Sequence, residues 1–206
     1  KNRMVNSIYL RQVTPDELRK IILSLKDSSP GHDELEASII KCSHSHVLEP
    51  LLHICNLSLS QGVFPNELKI AKIIPIFKSG DKMLFTNYRP ISVLPVLSKV
   101  LEKIMYNRLI EFIEKFEMLY SHQFGFRKHH STYMAILSVI EKIIKANEND
   151  EYSIGLYLDF SKAFDTINHD ILYAKLDHYG IRGISLNWVQ SYMSERLQYV
   201  MTNSAP

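Results

Sequence analysis

An apolar run, Tyr152-Ser153-Ile154-Gly155-Leu156-Tyr157-Leu158, ends on a carboxylate, Asp159, followed by an aromatic, Phe160. A strand end is a rigid place to hold a charged group at a cleft. Nucleotidyl and phosphoryl transfer commonly use divalent ions held by carboxylates, and magnesium takes oxygen ligands of this kind. The competing reading is local: an aspartate at a strand end also caps turns. Asp165 lies six residues further on, off any shared helical face, and reads as a cap for the following helix, as do Asn168 and Asp170.

Two basic positions sit on short extended segments upstream. Lys72 lies within the isoleucine-rich Lys69–Phe77 stretch, and Arg89 stands between Tyr88 and Pro90. Lysine offers a point charge and arginine a planar fork, both suited to phosphate oxygens. The competing reading makes both solvated strand residues; Lys72 taken alone favours it, whereas Arg89, held between Tyr88 and Pro90, favours the phosphate role. A third cluster, Gln123-Phe124-Gly125-Phe126-Arg127-Lys128-His129-His130, interleaves rings with cations, as nucleic-acid strands require. Its rings could instead belong to a core, as aromatics commonly do.

These segments, taken in order, resemble reverse transcriptases of retrotransposons without long terminal repeats. The run Leu158-Asp159-Phe160-Ser161-Lys162-Ala163-Phe164-Asp165 resembles that family's first catalytic motif, and Thr166–Leu172 its continuation. Ala71–Asp81 with Asn87-Tyr88-Arg89-Pro90-Ile91-Ser92 resembles its fingertip. Ser29-Pro30-Gly31-His32-Asp33 and Gln123–Thr132 resemble two further motifs. The resemblance implies Asp159 as a catalytic, metal-binding aspartate with the Phe160 carbonyl beside it, and Mg2+ or Mn2+ as cofactor. It implies Lys72 and Arg89 as triphosphate contacts, and Phe164 packed under the incoming sugar, where a 2′-hydroxyl would clash. Phe126, Arg127 and Lys128 become nucleic-acid contacts. The implied partners are an RNA template, a DNA primer, deoxynucleoside triphosphates and the remaining palm and thumb of a parent polypeptide. The implied compartment is intracellular.

The elements that must position these residues mix helix and strand. Thr14-Pro15-Asp16-Glu17 is a capping box with proline at the first helical position. Helices are expected over Glu34–Lys41, His46–Ser60, Val96–Glu117, Thr132–Ala146, Asp170–His178 and Ile184–Met193, from apolar spacing. Strands are expected over Lys69–Phe77, Asn87–Leu94, Glu151–Phe160 and Arg196–Thr202. Pro75 favours an edge position for the first of them. The fold expected is α/β (α+β): right-hand polymerase fingers and part of a palm, with helices packed on a mixed, truncated sheet. Residues 1–13 read as an N-terminal extension and 14–206 as the incomplete domain.

Composition bounds the alternatives. The chain has 206 residues, 46% of them hydrophobic, 24 basic, 22 acidic and two cysteines. A near-neutral balance means that any basic surface must come from local clustering. No stretch approaches a membrane span, and no apolar leader opens the chain. Cys42, His44, His46, His53 and Cys55 invite a zinc reading, but their spacing fits no paired knuckle. An unrelated metal-dependent hydrolase would use only Asp159 and the histidines, and leaves the fingertip segments unexplained. The family's second acidic motif, Tyr-x-Asp-Asp, is absent, as is the Gly-x-Pro-Gln-Gly stretch before it. The chain is therefore expected to be a fragment of an RNA-directed DNA polymerase domain, inactive alone, whose parent works by two-metal nucleotidyl transfer; the alternative is a catalytically inactive retroelement remnant acting at most as a nucleic-acid-binding module. An unpaired sheet edge and uncovered apolar surface predict poor solubility.

Overall fold

A computed structural model describes residues 3–160 and 162–200. Seven helices and three strands follow one another in it. These are α1 (Pro15–Leu23), α2 (Ala37–Cys42), α3 (His44–Gln61), β1 (Ile70–Phe77), β2 (Tyr88–Val93), α4 (Val96–Lys115), α5 (Thr132–Glu148), α6 (His169–His178), α7 (Ile184–Met193) and β3 (Leu197–Val200). The chain divides into two compact units, 1–112 with 169–206, and 113–168. It is an α/β chain with a small mixed sheet.

In the first unit, local chemistry sets the helix ends. The Thr14 hydroxyl accepts the Glu17 N–H at 3.2 Å, and Pro15 opens α1, as the capping box predicts. Gly62 ends α3 in the left-handed region, φ 68°. A Cβ there would also meet the Ile184 carbonyl oxygen at 2.7 Å, so both conformation and packing call for glycine. The core gathers Leu18, Ile21 and Ile22 of α1, Leu48, Leu51, Cys55 and Leu59 of α3, and Val100, Leu101 and Ile104 of α4. Trp188 of α7 closes it from another side. It meets Phe64 edge-on with centroids 5.3 Å apart and donates Nε1–H to Ser58 Oγ at 3.0 Å.

Residues 4–13 pack on this core. The Met4 and Ile8 amides donate to the carbonyls of His178 and Gly180 at 3.0 and 2.9 Å. The Val13 amide donates to Asn56 Oδ1 at 2.7 Å, and Asn56 Nδ2 returns a bond to the Val13 carbonyl at 3.2 Å. Ile8 and Val13 are buried.

The expected hairpin forms. β1 and β2 are antiparallel, running from Lys72 opposite Val93 to Phe77 opposite Tyr88. β3 joins β1 in parallel, Ile70–Ile73 facing Leu197–Val200. β1 is thus central, and the edge position expected from Pro75 is corrected. The proline is accommodated in two ways. It faces Pro90, and since neither ring can donate, the pair occupies a non-hydrogen-bonded position with both nitrogens turned outward. On its other side the described β3 pairing reaches only Ile73, so Pro75 interrupts no ladder there.

The second unit departs further from expectation. α5 forms, and Ser131 Oγ accepts the Met134 amide as its cap at 3.4 Å. No α5 residue is buried. The strand expected over Glu151–Phe160 is not formed. Residues 151–160 are irregular and exposed, Tyr152 completely so, and no strand among the described residues pairs with them. An extended apolar run becomes a strand only when an edge receives its amides and carbonyls.

Candidate functional site

The fingertip hairpin positions the first pair of candidates. Cross-strand partners point to the same face, and side chains alternate along each strand. Arg89 faces Ile76, so it shares a face with Ile76, Ile74 and Lys72. Ala71 and Ile73, on the other face, are buried in the protein. The two candidate cations therefore lie on one face of the hairpin. Their register positions are four residues apart along β1, about 13 Å at the usual rise. That gap is within the reach of two long side chains converging on one polyanion. Arg89 is exposed and Lys72 half-buried. On the opposite face Phe77 and Tyr88 meet edge-on, centroids 5.5 Å apart, which stiffens the far end of the pair.

The remaining candidates belong to the second unit. Asp159 is exposed at the end of the irregular segment. Phe160 and Phe164 are also exposed, and Phe164 meets the ring of Phe126 edge-on at 6.3 Å. A candidate sugar contact and a candidate nucleic-acid contact are thus neighbours. Phe126 is 87% exposed with φ 58°, which removes it from any core and corrects the core alternative for that ring. Phe124 is half-buried beside His130. A Cβ at Gly125 would meet nothing within 4 Å, so packing does not require glycine there. Arg127 Nη1 donates to the Tyr120 carbonyl at 3.4 Å. Arg127, Lys128, His129 and His130 line a hollow of about 560 Å³ whose other wall carries Glu114 and Glu117. The acidic wall offsets part of the loop's positive potential. Asp165 falls in the turn 162–166, where its amide donates to the Lys162 carbonyl at 2.9 Å. That places it four residues before α6 and corrects its reading as the cap.

Asp159 and the Phe160 carbonyl are oxygen donors of the type a hard divalent cation takes. Among the described residues, no three His, Cys, Asp or Glu groups lie where they could hold a metal ion together. The donors fit in kind but not in number, so these residues do not form a two-metal centre by themselves. The cysteine–histidine cluster has another explanation. Cys55 is in the core, where burial pushes its thiol up to about 12, while Cys42 is exposed. The His44 ring is bonded to the Lys41 carbonyl at 2.8 Å.

Comparison with known proteins follows this geometry. Residues 76–205, more than half the chain, match the family model described as reverse transcriptase (RNA-dependent DNA polymerase). The chain belongs to that family. It is similar to the RNA-directed DNA polymerase from mobile element jockey of Drosophila melanogaster, 34% identical over 196 residues, covering 94% of this chain and 21% of that protein. The probable RNA-directed DNA polymerase from transposon X-element of the same species is 32% identical over 164 residues, covering 79% of this chain and 18% of that protein. A Pol polyprotein from a type-1 retrotransposable element R2 of Popillia japonica is 26% identical over 185 residues, 90% of this chain and 25% of that protein. This chain thus spans about a fifth to a quarter of these relatives. No helix among the described residues is long and apolar enough to cross a membrane.

Sequence reasoning missed Arg108. It lies on the buried face of α4, 3% exposed, and grips Glu17 of α1. A lone arginine in an amphipathic helix carries no local signal of burial; its partner is 91 residues away.

Proposed function

We propose that this chain is part of the polymerase domain of a retrotransposon RNA-directed DNA polymerase, contributing the fingertip and the first metal-binding aspartate. The observation that carries the reading is the hairpin register, which sets Lys72 and Arg89 on one face, in a chain of the reverse transcriptase family. Lys72 and Arg89 grip the triphosphate of a deoxynucleotide, the lysine as a point charge and the arginine through its fork. Phe164 lies under the sugar and disfavours a 2′-hydroxyl. Phe126, Arg127 and Lys128 hold the RNA template or DNA primer by stacking and phosphate pairing. Asp159 and the Phe160 carbonyl are ligands to a divalent ion, Mg2+ or Mn2+, completed by carboxylates outside these residues. The remaining palm and thumb of the parent polypeptide are the protein partner, and the compartment is intracellular. The domain is taken to begin near residue 14.

Primer extension tests the reading. A polypeptide that continues this chain through the rest of the palm and thumb extends a DNA primer on an RNA template, and Asp159→Asn abolishes extension. The 206-residue chain alone gives none. Extension unaffected by Asp159→Asn, or magnesium-dependent synthesis by the chain alone, refutes the assignment. That no three metal-ligating groups gather among the described residues favours a second reading, a nucleic-acid-binding module without catalysis. It predicts salt-dependent RNA binding and a parent that extends no primer.

A further inference from the structure

The last turn of α4 goes against two local preferences at once. The Met118 amide donates to the Ile113 carbonyl and the Glu117 amide to the Glu114 carbonyl, both at 3.1 Å, so the chain leaves the helix through a paired-bond C-terminal motif. Glu117 takes the left-handed position of that motif, φ 47°, where glycine is the usual residue. Glu114 precedes it by about one turn. Both carboxylates therefore stand at the negative end of the helix dipole, where cations are favoured. Neither choice helps the helix itself. Departures of this kind from local preference concentrate where function supplies another reason.

Both carboxylates line the hollow that Arg127, Lys128, His129 and His130 face from the other side. None of these six side chains is ion-paired with another among the described residues. The neighbouring charges are engaged elsewhere: Lys115 Nζ lies 5.6 Å over the Phe116 ring, and His122 Nδ1 is bonded to Ser121 Oγ at 3.0 Å. With neutral imidazoles, the two cations of the hollow are matched by its two carboxylates. With both imidazoles protonated, it gains two positive charges, and histidine is the side chain that makes this change near neutral pH. His130 Nδ1 lies 3.0 Å from the Lys128 carbonyl. A carbonyl only accepts, so Nδ1 carries the hydrogen and Nε2 is the nitrogen that gains the proton.

We propose that Glu114 and Glu117 stand in for nucleic-acid phosphates at the basic loop, and that His129 and His130 decide when a strand takes their place. At alkaline pH the acidic wall balances Arg127 and Lys128 and repels an incoming strand. On protonation His129 and His130 add two phosphate-binding charges, and the balance passes to the strand. A metal ion is the poorer occupant, since no three ligating groups gather there among the described residues. The proposal rests on the nucleic-acid reading of Arg127 and Lys128 and deepens it, adding two residues that bind and two that oppose binding.

The test is fluorescence anisotropy of a rhodamine-labelled oligouridine 12-mer titrated with the 206-residue chain between about pH 8 and pH 5.5, a range that histidine spans and uridine does not. Affinity of the parent rises on acidification, and the slope of log affinity against log salt steepens by about 1.4, two phosphates at ~0.7 each. His129→Gln with His130→Gln removes the rise. Glu114→Gln with Glu117→Gln strengthens binding at pH 8 about fivefold. Glu141→Gln with Glu148→Gln, an equal change of charge on exposed positions of α5, leaves it within about twofold. Circular dichroism of each variant matches the parent, since these side chains lie outside the core. A flat pH profile in the parent overturns the proposal, as does a rise that survives the histidine substitutions, or unchanged affinity at pH 8 in the Glu114 and Glu117 variant. An equal gain in the Glu141 and Glu148 variant would make the effect one of net charge, and also overturns it. Arg127→Ala with Lys128→Ala separates the two readings. If that pair weakens binding while the carboxylate and histidine variants behave as the parent, the proposal falls and the nucleic-acid surface stands. If that pair has no effect, or the parent binds no RNA at either pH, the surface falls and the proposal with it.

Discussion

Arg108 of α4 holds both carboxylate oxygens of Glu17 of α1, Nη1 to Oε1 at 2.6 Å and Nη2 to Oε2 at 2.8 Å. Its Nε and Nη2 also donate to the carbonyls of Arg11 and Gln12 at 3.3 and 3.5 Å. One guanidinium thus fastens the N-terminal segment, α1 and α4 together. Glu17 is also in the capping box of α1, so helix start and tertiary clamp share one residue.

Removing Arg108 takes away the buried partner of Glu17 but leaves Arg11 Nη1 at 3.2 Å from its Oε2. Arg108→Ala is expected to destabilise the first unit by about 1.5–3 kcal/mol, the scale of lost hydrogen bonds to a charged group. Replacing both partners with apolar residues, Arg108→Met with Glu17→Leu, recovers much of that loss. Urea unfolding followed by fluorescence of the sole tryptophan, Trp188, measures both. Equal stability of Arg108→Ala and the parent would show that the bridge contributes nothing.

The same pair sets the acid limb. The hydrogen bonds from Arg108 hold the Glu17 carboxyl below its ordinary 4.5, while burial opposes them. A depressed folded-state pKa contributes stability present above the unfolded value and lost as pH falls through the folded one. Stability of the parent therefore declines below about pH 4.5, and the decline is shallower in Glu17→Gln. Parallel acid limbs in urea titrations at several pH values would contradict this.

At the alkaline end the sign reverses. Burial, then the charge of Glu102, pushes the Tyr192 hydroxyl from 10.0 up to about 12. The hydroxyl donates to Glu102 Oε1 at 2.9 Å. A raised folded-state pKa contributes stability present below pH 10 and lost as pH climbs toward 12. Tyr192→Phe keeps the stacked contact with Trp188, centroids 5.5 Å apart, and flattens this limb. Cys55 contributes in the same direction between 9.0 and about 12, so some slope remains in the variant.

Thiol chemistry checks the core independently. Cys42 is exposed and Cys55 buried. An aromatic disulfide reagent at pH 8 should modify one thiol per native chain and two in urea, because attack requires an accessible thiolate. Two rapid equivalents in the native chain would place Cys55 outside the core.

What sequence revealed and what it hid divide along locality. The capping box at Thr14 was legible because every partner lies within one turn. The fingertip was legible because its two strands follow one another in sequence, ten residues apart. The register that sets Lys72 and Arg89 on one face follows from pairing, which only the structure supplies. The bridge from Arg108 to Glu17 was invisible because nothing beside Arg108 announces burial. Residues 151–160 were misread because apolar composition encodes willingness to pair, not the presence of a partner. Asp159 consequently sits at the end of an exposed segment rather than a strand.

The Lys72–Arg89 face permits the most direct functional test. If both cations grip one triphosphate, they are not interchangeable: the fork of Arg89 can hold two oxygens, and lysine in its place can hold one. In a polymerase polypeptide containing this chain, Arg89→Lys should lower kcat/KM for the deoxynucleotide about tenfold, and Arg89→Ala further, as charge-assisted bonds of ~1.5–3 kcal/mol are lost. Lys72→Ala should act in the same direction. If both groups reach the same ligand, the double variant loses less than the product of the single losses. Both side chains point away from the Ala71–Ile73 core face, so thermal stability should stay within about 0.5 kcal/mol of the parent. Unchanged nucleotide kinetics in Arg89→Ala would mean that the shared face is a property of the hairpin and not of the substrate site.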